Sequence, residues 1–178
     1  MGWYIVPLIP LTGESEDGGR SKTGITDMAT YKFTLRWNRY IHMTLNTKHK
    51  VGKNRVMPDL NNAINAAGRH PQIYAKMKKD YMMWVCNEIR KQLPGLKIDK
   101  TITIHYQHYE ADKRRDLSNV AAMATKVIED ALQTCGAISN DGWKNISGYS
   151  QAFGIDKADP RIEVTITEVE TGQMMLDL

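Results

Sequence analysis

Residues 101–134, TITIHYQHYEADKRRDLSNVAAMATKVIEDALQT, carry two different hydrophobic periods in succession, and these indicate the fold class of the protein. In its first part Ile102, Ile104 and Tyr106 alternate with polar residues, and this period of two predicts a β-strand over residues 101–109. In its last part apolar residues recur every three or four positions, which predicts an amphipathic helix over residues 117–134 that ends before Gly136. A strand that leads directly into such a helix is typical of an α/β domain.

Further strands and a second helix flank this unit. Residues 31–37 alternate between apolar and polar side chains and predict a strand, as do residues 145–153 and 161–167. Pro71 predicts the first turn of a helix that Pro94 ends, and the segment between the first strand and Pro71 is predicted to be a long loop. The order predicts a small mixed β-sheet with two main helices. This domain, residues 29–170, follows a flexible leader (1–28) and precedes a tail (171–178).

The composition argues against a membrane protein. Hydrophobic residues make up 42% of the 178 residues and charged residues 25%, proportions typical of a soluble domain. Apolar runs fall short of the ~20 residues that cross a bilayer, and the apolar start lacks the basic residues that precede a signal peptide's apolar core. We therefore expect a cytoplasmic protein in which Cys86 and Cys135 are reduced thiols.

Charge is distributed unevenly along the chain. Residues 1–100 carry 17 Lys and Arg against 8 Asp and Glu, whereas residues 101–178 carry 7 against 12. The stretch from Met28 to Pro58 contains basic residues but no acidic one. Such a block predicts a surface for nucleic-acid phosphates, and the alternative is a solvated basic face without a partner.

Two polar segments flank the helix of residues 117–134. KRRDLSN (113–119) precedes the helix, where free N–H groups favour anions and where an acid beside three bases suits a cation and its phosphates. NDGWK (140–144) follows the helix in a tight turn that is suited to positive φ. The alternative is structural: Asp116, Ser118 or Asn119 caps the helix, and Asp141 serves the turn. Spacing alone does not decide, because a helix of this length separates its ends by ~25 Å.

Five segments together resemble the RusA-like family of Holliday junction resolvases, in particular its phage type. They are LNNAINA (60–66), KRRDLSN (113–119), KVIEDAL (126–132), NDGWK (140–144) and DKADPRIEVTI (156–166). They follow the family's order within residues 30–168. The resemblance implies a homodimer that binds branched DNA, above all four-way junctions, and cuts it by phosphodiester hydrolysis with Mg²⁺ or Mn²⁺. It also implies a bacterial cell as the setting, with a phage or prophage as the source of the gene.

The resemblance implies a role for each polar residue of these motifs. Asp116 and Asp141 are the expected catalytic acids, and with Ser118 they are the expected metal ligands. Ser118 departs from the family, which has an aspartate there, so the site has one negative charge fewer; Asp112 is a candidate to replace it. Lys126 is the expected catalytic lysine that stabilises developing charge, and an ion pair with Asp130 on a solvated face is its alternative. The expected DNA-binding residues are Lys113, Arg114, Arg115, Lys144 and Lys76.

Three functions therefore stay open at the level of the sequence. The first is an active junction endonuclease, and the second is a junction-binding protein whose catalysis Ser118 has weakened. The third sets the resemblance aside and treats the chain as a binder of single strands that stacks bases on Trp37, Tyr40 and Tyr74.

Overall fold

A computed structural model of the protein describes residues 28–36 and 59–169. The predicted tail, the basic insertion at residues 38–57, and the predicted leader apart from Met28 lie outside these ranges. Within them, no helix is long and apolar enough to cross a bilayer.

In the part of the chain that the structure describes, four strands form one mixed sheet. They are β1 (Thr30–Arg36), β2 (Ile102–Glu110), β3 (Ile146–Ile155) and β4 (Arg161–Glu168), in the spatial order β1-β4-β2-β3. β4 pairs antiparallel with both β1 and β2, whereas β3 runs parallel to β2. The predicted small mixed sheet is therefore confirmed, and each predicted strand differs from the observed one by at most two residues at either end.

Burial alternates along β2 and β4 with the period of two that the sequence predicts. Ile104 and Tyr106 on β2, and Val164 and Ile166 on β4, point to one face of the sheet and are almost completely buried. Their polar neighbours lie on the opposite face and are only half-buried. Because the helices of the described residues cover only one face of the sheet, a slip of one residue in register would move this core away from them.

Among the described residues three helices cover the apolar face, one more than the two predicted: α1 (Leu60–Arg69), α2 (Pro71–Gln92) and α3 (Leu117–Thr134). α2 begins at Pro71 and ends just before Pro94, and α3 ends before Gly136, which has φ +81°; both predictions are confirmed. α2 packs on α3, where the Cys86 thiol donates to the Ala131 carbonyl oxygen at 3.4 Å.

α1 corrects the prediction of a continuous loop before Pro71. Asp59 caps this helix: its carboxylate accepts from the Asn62 amide N–H at 2.9 Å, and the Asn62 side chain accepts from the Asp59 N–H at 3.1 Å. The helix buries only Ala63 and Ala66. Its apolar face is made of small side chains, so a search for large apolar residues at helical spacing misses it.

β2, α3 and β3 form a crossover unit that fixes where the candidate residues lie. Because β3 runs parallel to β2, the chain leaves β2 at one end of the sheet, returns along α3, and starts β3 at the other end. We name these the exit end, next to Glu110 and Ile155, and the start end, next to Ile102 and Ile146. β2 contains nine residues, so at ~3.3 Å per residue the two ends lie about 26 Å apart.

Candidate functional site

Asp116 lies at the exit end, in the N-cap position of α3, but its side chain makes no capping hydrogen bond. Instead, the Asn119 side-chain amide donates to Asp116 Oδ2 at 3.1 Å. The Asp116 carboxylate therefore does not cap α3, contrary to the structural alternative. Ser118, the expected third ligand, is exposed on the same first turn of the helix.

The two arginines of KRRDLSN are used differently. Arg114 is exposed and binds Asp112 through Nε at 2.9 Å and Nη2 at 2.6 Å, while its backbone N–H donates to the other oxygen of the same carboxylate at 3.0 Å. These hydrogen bonds lower the pKa of Asp112. Both oxygens of Asp112 therefore accept hydrogen bonds from Arg114, which holds the carboxylate beside that arginine; its part in replacing the carboxylate that Ser118 lacks stays a prediction.

Arg115 was predicted to contact DNA, but its side chain points into the protein. Only 17% of it is exposed, and it forms ion pairs with Glu110 at 3.0 Å and Asp59 at 3.3 Å. Asp59 also caps α1, so Arg115 joins the start of α3 to the start of α1. This geometry supports a structural role for Arg115. Lys113 beside it is exposed, as a phosphate-binding residue must be.

Asp141 lies at the start end in a turn that is shaped by a side chain. Asn140 Oδ1 accepts from the Gly142 N–H at 2.7 Å, and Gly142 does not have a positive φ. The Asp141 carboxylate accepts from Lys126 Nζ at 2.8 Å, and this hydrogen bond lowers the pKa of Asp141. The structure thus brings together two of the three predicted catalytic residues.

Lys126 also forms the ion pair that was its structural alternative. Its ammonium lies 2.8 Å from Asp130 as well as 2.8 Å from Asp141, and both hydrogen bonds raise the pKa of Lys126, with Asp130 the larger cause. Asp130 in turn accepts from Lys78 of α2 at 2.6 Å. The result is a row of alternating charges, Lys78–Asp130–Lys126–Asp141, which we call the ion-pair row.

Two residues around this row were not predicted from the sequence. Lys76 was named as the DNA-binding lysine of α2, but it pairs with Asp80 one turn along the same helix at 2.7 Å, and Lys78 is the lysine that joins the row. Glu129 lies beside the row, and burial raises the pKa of its carboxyl group. The helical period of α2 places both Lys76 and Lys78 on its exposed side. Only the packing of α2 against α3 shows which of the two reaches Asp130.

Asp116 and Asp141 do not meet. The Ile102 N–H donates to the Asn145 carbonyl at 2.8 Å, which ties the NDGWK turn to the start end, whereas Asp116 follows β2 at the exit end. α3 keeps them apart, since ten helical residues between Asp116 and Lys126 rise about 15 Å. The Lys126 side chain points along α3 towards Asp130, in the direction away from Asp116.

This separation is incompatible with one shared metal ion in the chain as it is folded here. Mg²⁺ holds its oxygen ligands at ~2.1 Å, so two carboxylates on the same ion must lie within a few ångströms of each other. Within residues 28–36 and 59–169, no group of three or more His, Cys, Asp or Glu residues is arranged to hold a metal ion. The described residues therefore do not fit the magnesium site that the resemblance implies.

The segment DKADPRIEVTI closes the exit end with ion pairs of its own. Arg161 binds Asp156 at 2.8 Å and Glu163 at 2.7 Å, and its guanidinium carbon lies 4.0 Å from the centroid of the Tyr109 ring. The Asp156 N–H donates to the Glu110 carbonyl at 2.8 Å, which fixes this loop to the end of β2. These contacts give the polar residues of this segment a structural role at the end of the sheet.

No model of a protein family matches this chain, and no curated protein matches it either. The likeness to junction resolvases therefore rests on the five sequence segments quoted above and stays a prediction.

Proposed function

We propose that this protein is a homodimer that binds branched DNA, four-way junctions above all, and that Asp116 and Asp141 of one chain do not cut it together. The observation that carries the proposal is the placement of the motif residues. Cations that can hold phosphates are exposed near both ends of the β2–β3 pair, while the two carboxylates expected to share a metal ion are held at opposite ends. The arrangement favours the junction-binding function over the junction-cutting one.

The exposed cations are Lys113 and Arg114 at the exit end and Lys144 at the start end. Lys113 and Lys144 are the better phosphate ligands, since Arg114 already has a carboxylate partner in Asp112. About 26 Å between the ends corresponds to about eight base pairs at 3.4 Å each, so a DNA arm alongside the sheet can reach both. A two-fold dimer doubles these contacts and matches the symmetry of a four-way junction.

The single-strand alternative loses one of its three stacking residues. Tyr74 is partly buried against the core, so its ring is used in packing. Trp37 and Tyr40 lie outside the described residues.

The proposal is tested by fluorescence anisotropy with a labelled four-way junction and a linear duplex of matched sequence, over a range of salt concentrations. We expect tighter binding to the junction, with an affinity that falls steeply as salt rises. Lys113→Ala and Lys144→Ala should each weaken binding and reduce the salt slope by about 1, the change expected for one lost phosphate contact.

Lys91→Ala is the matched control. Lys91 is an exposed lysine that pairs with Glu88, and its neighbour Gln92 bonds to Thr34 of β1, at the edge of the sheet opposite β3. Equal affinity for junction and duplex, or an equal effect of all three lysine substitutions, would contradict the proposal.

A second candidate, a metal-dependent junction endonuclease, is favoured by one observation: the Asp116 carboxylate is exposed, is not used as a cap, and is held by the Asn119 amide. This candidate requires metal ligands beyond those that the described residues bring together. It expects nicks near the crossover in the presence of Mg²⁺ or Mn²⁺, and their loss in Asp116→Asn. Ser118→Asp, which restores the family's carboxylate, should then raise the cutting rate.

A further inference from the structure

Trp143 is exposed to an unusual degree for a tryptophan. Its relative exposure is 91%, the highest of all large hydrophobic residues in the described part of the chain. Indole rings are large and apolar and are mostly buried in monomeric proteins, so one that stands in water costs free energy unless it meets a partner. The residue lies in the NDGWK turn, directly before Lys144.

The backbone that carries Trp143 is held in place on both sides. The Gly142 carbonyl accepts from the N–H groups of Asn145 at 2.9 Å and Ile146 at 3.0 Å, so the turn is closed around the tryptophan. Asn145 is buried, and its side-chain amide donates to the Ser139 hydroxyl at 3.1 Å. An exposed ring on a fixed turn is a preorganised contact, because little backbone entropy is lost when it binds.

The charges around the ring suit a nucleic acid. Lys144 next to it is exposed, and its backbone is anchored by the Thr101 hydroxyl, which donates to the Lys144 carbonyl at 3.0 Å. The only acid of the turn, Asp141, is paired with Lys126 at 2.8 Å. An apolar ring beside an exposed cation, with the nearby negative charge balanced, offers a base one surface and its phosphate another.

We propose that Trp143 stacks on a nucleobase that is exposed where DNA strands branch, while Lys144 holds the adjoining phosphate. This inference rests on the proposed DNA-binding function and adds the reason for a preference for branched DNA. In an intact duplex the flat faces of the bases are covered by their neighbours, whereas at a branch point one face is free to take a ring. Trp143 is thus a specificity residue and Lys144 an affinity residue.

The experiment uses the full chain with a labelled four-way junction that carries 2-aminopurine at the crossover, and the matched linear duplex. Trp143→Ala should weaken junction binding roughly ten-fold, within the range for one stacked base, and leave duplex binding unchanged. Trp143→Phe should keep most of the junction affinity. Wild type should quench the 2-aminopurine fluorescence on binding, and Trp143→Ala should not.

The control is Ile64→Ala, which removes another exposed apolar side chain, on α1, and should change neither affinity. Unchanged junction affinity in Trp143→Ala would overturn this inference while leaving the proposed function standing. An equal loss on junction and duplex would also overturn it, as would a dissociated dimer with unchanged junction affinity, which would assign the ring to a protein interface. A wild-type chain that binds none of these DNAs would overturn the proposed function and this inference together.

Discussion

Arg114 and Arg115 are neighbours in the sequence, yet one lies on the surface and the other in the interior. Arg114 is exposed beside Asp112, while Arg115 is mostly buried between Glu110 and Asp59. Nothing in the run KRR separates them, because the difference arises from α1, whose capping aspartate approaches from 56 residues away. A sequence motif identifies such a basic cluster but does not tell which of its members face solvent.

Arg115→Ala should destabilise the fold by about 1–3 kcal/mol, since it leaves the buried Glu110 carboxylate without its ion pair. Urea unfolding at neutral pH measures the change. Arg114→Ala is the matched control and should leave the unfolding midpoint where it is. Equal effects of the two substitutions on stability, with weaker DNA binding in Arg115→Ala alone, would contradict a structural role for Arg115.

His108 gives stability a dependence on pH. Its ring is fully buried, stacks on Phe153 with centroids 4.7 Å apart, and bonds to Gln151 at 3.1 Å. Burial lowers the pKa of His108 from 6.5 to about 4. The unfolded chain therefore binds this proton more readily, so the contribution of His108 is complete above pH 6.5 and is lost as the pH falls towards 4.

We expect a loss of about 2 kcal/mol in the free energy of unfolding between pH 7 and pH 5 from this residue. His108→Gln should be less stable at pH 7 but should lack this part of the acid sensitivity. Urea denaturation of both proteins at the two pH values gives the comparison. Parallel pH profiles for the two proteins would show that His108 is not the responsible group.

Among the secondary-structure elements, the strands and the two long helices were predictable because large apolar residues recur in each of them at the spacing of a strand or a helix. β2 and β4 alternate, and the apolar stripe of α3 is continuous from Val120 to Leu132. α1 was not predictable by that route, since it buries only alanines and depends on a cap made by Asp59 and Asn62. Small side chains and local hydrogen bonds give a weaker signal than large apolar ones.

The end of α3 depends on a backbone conformation that glycine adopts readily. Gly136 has φ +81°, and a Cβ at this position would meet open space, so only the dihedral angle opposes a side chain. Gly136→Ala should cost about 1–2 kcal/mol of stability. Gly68→Ala is its matched control, because Gly68 lies within α1, also has open space around it, and should gain up to about 1 kcal/mol from better helix propensity. Thermal unfolding of the two variants should therefore shift in opposite directions, and a shift in the same direction would contradict this account.

At the scale of the whole molecule, the candidate site was only partly predictable. The pairing of Lys126 with Asp141 joins two residues that the resemblance named, and the sequence predicted both. The separation of Asp116 from Asp141 depends on β3 running parallel to β2, which requires the chain to cross the full length of the sheet through α3. The order strand, helix, strand already favours a parallel pair, whereas the contacts of Lys78 with Asp130 and of Lys126 with Asp141 arise only when the elements pack together.

Whether the DNA strands stay intact in the bound complex tests the proposed function. A four-way junction labelled on each strand in turn is saturated with protein, incubated with Mg²⁺ or Mn²⁺, and analysed on a denaturing gel. Because one chain holds Asp116 and Asp141 at opposite ends of the sheet, we predict a junction that is bound but whose four strands stay intact. Paired nicks near the crossover that disappear in either Asp116→Asn or Asp141→Asn would contradict this account.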